Sequence, residues 1–213
     1  MVWLLKGLSR SVTASIYALI LVILLAGCSG YTGNAPTNTH SGSLTNPVQQ
    51  RVLAPTATKS VPYTTYTGTD FTLKYPADWK VTTAKAEVSF TDLAGNYNLT
   101  IGSTPNPNGA TTPDQLADSG VVGAKTNLQN EKTIDVPKTV MLAGQTWSQR
   151  SLSGISTLSE PNSEIEATVL ATNHPAKASN TQGYIIVYVA AKNQFDQAQT
   201  RYFKPILQSL KFK

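Results

Sequence analysis

Few side chains in this chain are equipped for chemistry. There is one cysteine, Cys28, there are two histidines, His40 and His174, and two glutamates, Glu164 and Glu166, stand one residue apart. On a strand the two glutamates share a face about 7 Å apart, a separation that suits the carboxylate pair of a glycoside hydrolase. The simpler reading is a solvent-facing strand edge on which they alternate with Ile165 and Ala167. His174 lies in Asn173-His174-Pro175, read as a loop between strands, and His40 lies far upstream. One histidine in the folded part cannot complete a zinc site made of cysteine and histidine ligands. No Gly-x-Ser-x-Gly elbow occurs, so a serine triad would rest wholly on His174. Neither a Walker loop nor a Gly-x-Gly-x-x-Gly turn is present to cradle phosphates. Asp92 and Asn96 are read as turn formers rather than calcium ligands. Asn98-Leu99-Thr100 matches a glycosylation sequon and carries little weight. No catalytic, cofactor-binding or metal-binding residue is therefore assigned.

Cys28 has a telling setting. Lys6 and Arg10 precede an apolar run over Val12–Leu25, interrupted by residues such as Ser15 and Tyr17, and small Ala26 and Gly27 come just before the cysteine. This is the order of a secretory signal, with an apolar stretch short for a spanning helix of about 20 residues. Leu25-Ala26-Gly27-Cys28 resembles the lipobox of bacterial lipoproteins. The resemblance implies a diacylglyceryl thioether on Cys28 and cleavage between Gly27 and Cys28. Each buried lipid methylene contributes about 0.8 kcal/mol, so two or three acyl chains hold a protein on a membrane. The expected place is the extracytoplasmic face of the cell membrane.

Three segments follow: a signal over 1–27, a lipidated and flexible tether over 28–62, and one folded domain over 63–213. Removing Lys6 and Arg10 takes the formal charge from +5 to +3, with no dense basic run of the kind that tracks nucleic acid. Between Ser29 and Pro62 the chain is rich in Ser, Thr, Gly, Asn and Pro, and only Arg51 and Lys59 are charged. Its apolar residues are too scattered to offset the entropy of ordering. A flexible segment of about 34 residues spans on the order of 30 Å, enough to lift a domain clear of head groups.

Within 63–213 the pattern alternates. Phe71, Leu73 and Tyr75 predict a strand, Pro76-Ala77-Asp78 a turn, and Trp79 and Val81 the next strand. Val88 and Phe90 predict another strand, followed by a turn at 92–96 and a return through Tyr97, Leu99 and Ile101. Thr112, Pro113 and Gln115 give the start of a helix whose buried face is read as Ala117, Val121, Ala124 and Leu128. Further strands are expected over 134–142, 145–155, 164–171 and 183–191, with Ala143-Gly144 as a hairpin turn. Tyr184 to Val189 is apolar on both faces and is placed centrally. A second helix is expected over 193–203, broken or restarted by Pro205. Together these predict an α+β fold with a mainly antiparallel sheet flanked by helices.

Phe71-Thr72-Leu73-Lys74-Tyr75-Pro76-Ala77-Asp78-Trp79-Lys80-Val81 resembles the opening strand pair of PsbP-like domains. Ile206-Leu207-Gln208-Ser209-Leu210-Lys211-Phe212 resembles their closing segment, and Ala143-Gly144-Gln145-Thr146-Trp147 falls where they carry a Gly-containing hairpin. The resemblance implies an α/β/α sandwich. Its members range from photosystem II proteins of plants to a nuclear-import factor and bacterial lipoproteins, so it implies no single activity.

The function expected from these readings is a membrane-anchored, non-catalytic binding or assembly module. The partners weighed are another envelope protein and an apolar small molecule held between sheet and helix; nucleic acid is not expected. Tyr63 and Tyr66, at the junction with the tether, are the aromatics placed to make outside contacts. The alternatives are an envelope hydrolase using Glu164 and Glu166 or His174, and a passive spacer lipoprotein.

Overall fold

The computed structural model describes residues 61–158 and 163–213. Cys28, His40, the signal and all but the last two residues of the tether lie outside these residues. The fold is α+β: a large antiparallel sheet with two helices packed against it. Eight strands make that sheet. They are β3 (Lys80–Ala84), β4 (Glu87–Thr91), β5 (Tyr97–Pro105), β6 (Leu128–Ile134), β7 (Thr139–Leu142), β8 (Gln145–Ser156), β9 (Glu164–His174) and β10 (Gln182–Ala191). Their order is β3-β4-β5-β10-β9-β8-β6, with β7 also paired to β8. As the apolar run over Tyr184–Val189 predicts, β10 lies inside the sheet, between β5 and β9.

The strand over Phe71–Pro76 does not join this sheet. It is β2 of a separate three-stranded sheet, paired with β1 (Tyr63–Thr67) and β11 (Lys211–Phe212). This small sheet and the C-terminal helix cover one face of the large sheet together, so that layer is mixed rather than purely helical. The core between them is aromatic: Phe71, Trp79, Phe90, Trp147, Tyr184, Tyr188, Phe195 and Phe203 are buried there.

On the other face lies helix α1 (Pro113–Lys125). Its start is the expected capping box: the Gln115 N–H donates to Thr112 Oγ1, and the Thr112 N–H donates to Gln115 Oε1. The residues it buries are Leu116, Ala117, Gly120 and Gly123. Leu128, read as the end of its apolar face, instead opens β6. Gly120 permits the close approach: a Cβ there would stand 2.7 Å from Val169 Cγ1.

Two expected elements run differently. The strand predicted over 134–142 is two strands, β6 and β7, interrupted at 135–138 by a segment containing Pro137, which has no N–H to give to a ladder. The second helix, α2, runs from Phe195 to Gln208: its backbone stays helical through Pro205, and α-type bonding restarts at Lys204 with the proline in the first turn, the restart expected of Pro205. Over Gln199–Phe203 it widens into π-type bonding, and the Lys204 N–H reaches the Gln199 carbonyl five residues back. The widening accommodates the proline within a helical path.

Candidate functional site

His174 is the last residue of β9 rather than a loop residue. Its ring lies flat on Phe212 of β11, with centroids 4.0 Å apart and planes 7° apart. Gln145, the first residue of β8, meets its Nδ1. With the amide nitrogen donating there, the ring is neutral and carries its proton on Nε2. Burial pushes its pKa below the ordinary histidine value, in keeping with that state. Phe212 also stacks against Trp147 and leans on Tyr184 at 4.9 Å. Burial first, then the nearby Asp70 carboxylate, pushes the Tyr184 phenol up to about 12. This cluster fastens the C-terminal strand to the large sheet.

The glutamates stand at the other end of the same strand. From Glu166 to His174 is eight residues of β9, about 26 Å, so the three groups do not converge. Glu164 is ion-paired to Lys192. The Glu166 carboxyl is pushed above the ordinary glutamate range, chiefly by burial and then by Asp196, with Lys192 opposing. One face of β9 does carry both, and Lys192 stands near each, paired with Glu164 and opposing the upward shift of Glu166.

An ordered polar array that the sequence reading did not assemble lies on the face of the large sheet shared with α1. That helix packs over β8, β9 and β10. Toward the β3 edge the same face carries Thr82, Ser89, Thr91, Asn98 and Thr100. Asn98 Nδ2 donates to Ser89 Oγ and to Thr91 Oγ1, both at 2.8 Å. Thr100 Oγ1 lies 3.0 Å from both Ser89 Oγ and Asn98 Oδ1. Asn98 and Thr100 are buried, Ser89 and Thr91 are half-buried, and Thr82 is exposed. The signal was present in the alternation: each apolar residue of β4 and β5 is flanked by a short hydroxyl or amide residue. Only the register Ser89↔Thr100 and Thr91↔Asn98 brings them side by side. Asn98, the sequon residue, is held inside this array.

Where the chain enters the domain, aromatic rings crowd together. Trp79 packs on Tyr97 and Tyr202, and the rings of Tyr97 and Tyr202 are 5.2 Å apart. Arg201 lies over the Tyr202 ring at 5.3 Å. Tyr63 is half-buried beside them, its hydroxyl donating to the Arg201 carbonyl. Tyr66 turns inward, edge-on to Phe90 at 5.4 Å. The two tyrosines read as contact residues are both half-buried against the core, with Tyr63 bonded at the Arg201 carbonyl and Tyr66 packed on Phe71 and Phe90. A second long-range link is Arg150 of β8, which reaches Asp118 at 2.9 Å and Asp114 at 3.1 Å on α1.

No family model and no curated protein matches the sequence. Solved structures do match. Cyanobacterial PsbP (CyanoP) from Synechocystis sp. PCC 6803 aligns at 14% identity and TM-score 0.49, over 76% of this chain and 99% of that one. LpqN, involved in cell envelope biogenesis of Mycobacterium tuberculosis, aligns at 14% identity and TM-score 0.47, over 72% of this chain and 91% of its own. A structure from Bacteroides thetaiotaomicron VPI-5482 aligns at 9% identity and TM-score 0.43, over 67% of this chain. The chain spans 45% of that protein's length. These similarities, PsbP-like among them, are distant and lie at the level of structure. Among the described residues, no helix is long and apolar enough to cross a membrane.

Proposed function

We propose that this chain is a lipid-anchored, extracytoplasmic binding or assembly module that acts without catalysis. Its protein partner docks on the polar array of β3–β5. The observation that carries this reading is the hydrogen-bonded set of Ser89, Thr91, Asn98 and Thr100. These bonds hold the short side chains in place at little further entropic cost, the preorganisation that a binding face needs, and half-buried Ser89 and Thr91 with exposed Thr82 bring that face to the surface. The apolar layer under α2, by contrast, is occupied by ring-to-ring contacts among Tyr188, Phe195 and Phe203. That favours a partner on the surface over an apolar molecule held between sheet and helix.

The anchoring half of the reading is tested by Cys28→Ala in the full chain. The wild-type chain is expected in the membrane fraction and labelled by a radioactive fatty acid, and the variant unlabelled and released. Retention of unlabelled wild type would overturn the lipid anchor. The binding half is tested by photo-crosslinking from Thr82 at the edge of the array, where one discrete protein adduct is expected and none would overturn it.

A further inference from the structure

The end of the domain that carries the aromatic rim has a second feature. Leu93 stands 82% exposed, the most exposed of the large apolar side chains among the described residues. It sits on the turn between β4 and β5, which Asp92 closes by accepting the Tyr97 N–H at 2.7 Å. Tyr97, bonded to this turn, packs on Tyr202, with Arg201 over that ring and Tyr63 bonded to the Arg201 carbonyl. The chain preceding the domain also enters here: the Pro62 carbonyl accepts from the Ala77 N–H at 2.9 Å, two residues before Trp79. An apolar tip, half-buried tyrosines with their hydroxyls at the rim, and an exposed arginine are the groups that settle where hydrocarbon meets head groups. Arginine also pairs with phosphate in two-pronged fashion.

We propose that this end of the domain rests on the lipid surface, with Leu93 entering the head-group region, Tyr63, Tyr97 and Tyr202 lying at its boundary, and Arg201 meeting lipid phosphates. The occupant is a bilayer because of where the chain enters. Sixty residues precede the described part, and the cysteine read as acylated lies among them. A tether that ends at the rim allows the rim, of all the surface, the easiest return to the membrane. The proposal rests on the lipid-anchor reading above.

The test uses the full chain in its lipidated form, with Leu93→Cys or Met141→Cys carrying a polarity-sensitive dye. Met141 is 66% exposed on β7, about 20 Å of strand from the rim. Cys28 is consumed by its lipid, so the new thiol is the one labelled. Each protein is reconstituted into vesicles of phosphatidylethanolamine and phosphatidylglycerol, with and without nitroxide-bearing lipid. The expected result is flotation with the vesicles, a blue-shifted dye at position 93 that loses most of its emission to the nitroxide, and an unquenched dye at position 141. Flotation with equal emission at both positions, or with quenching at 141, would overturn the orientation and leave the anchor standing. Failure to float would overturn the anchor and this inference with it.

Discussion

The Tyr63 hydroxyl donates to the Arg201 carbonyl at 3.2 Å. In an unbroken α-helix that carbonyl would receive the N–H of residue 205, and residue 205 is a proline. The first strand of the domain thus supplies a donor to a carbonyl that residue 205 cannot serve. Pro205 itself stands in the first turn of the α-type segment that restarts at Lys204. Tyr63→Phe keeps the ring and removes the donor, and should lower stability by about 0.5–1.5 kcal/mol. Chemical denaturation with an unchanged m-value checks this. An unaltered midpoint would show that the bond contributes nothing.

His174 gives a pH signature. Its folded pKa lies below the ordinary value of about 6.5, so the unfolded chain takes up the proton first as pH falls. The stability linked to neutral His174 is present above about pH 6.5 and is lost as pH falls through the folded pKa. His174→Phe, which can still stack on Phe212, should flatten that part of the stability curve between neutral and mildly acidic pH. Equal pH slopes for the two proteins would contradict the assignment.

Gly120 sets two effects against each other. Alanine in a helix interior is better than glycine by about 1 kcal/mol. Its Cβ, however, would meet Val169 Cγ1 at 2.7 Å and Ile185 Cγ2 at 3.2 Å, and overpacking a close-packed interface costs about 1–3 kcal/mol. The clash should win, so Gly120→Ala is expected to lower the melting temperature. A rise would mean that α1 can shift on the sheet freely.

Glu166 should act in the opposite sense. Its carboxyl titrates above the ordinary range because burial and Asp196 disfavour the charge. Ionised Glu166 therefore costs stability at neutral pH, and the cost vanishes once the group is protonated in both states. Glu166→Gln should stabilise the protein at pH 7 and change little near pH 3. Destabilisation at pH 7 would assign the carboxylate a favourable partner instead.

The sequence was most legible where one residue type decides a local outcome. Thr112, Pro113 and Gln115 fixed the start of α1, and Asp92 closed its turn. Ala143 and Gly144 turn the β7–β8 hairpin with φ of 51° and 73°. Alternation placed β4, β5, β8, β9 and β10, and the doubly apolar Tyr184–Val189 run placed β10 inside the sheet. What depended on contacts between distant residues was not legible. Whether Phe71–Pro76 joins the large sheet or a separate one is settled by β1 and by the two residues of β11. Nothing near Pro205 announces that Tyr63 will serve the Arg201 carbonyl. His174 read as a loop residue because its strand ends on it, and its stacking partner lies at the far end of the sequence. The polar array needed the pairing of β4 with β5 before Ser89, Thr91, Asn98 and Thr100 became one surface.

A photo-crosslinking amino acid at Thr82, in the full chain in its own membranes, decides whether the array is a docking face for a protein partner. Thr82 is exposed at the edge of the array, so the probe reports on the face without disturbing the bonds of Asn98. One discrete protein adduct of reproducible identity is expected. It should be lost when Ala84→Arg, an exposed position on the same face of β3 as Thr82, crowds the face without touching the bonds among Ser89, Thr91, Asn98 and Thr100, and the melting temperature should hold within a few degrees. No adduct at Thr82, or an adduct that survives Ala84→Arg, would contradict it.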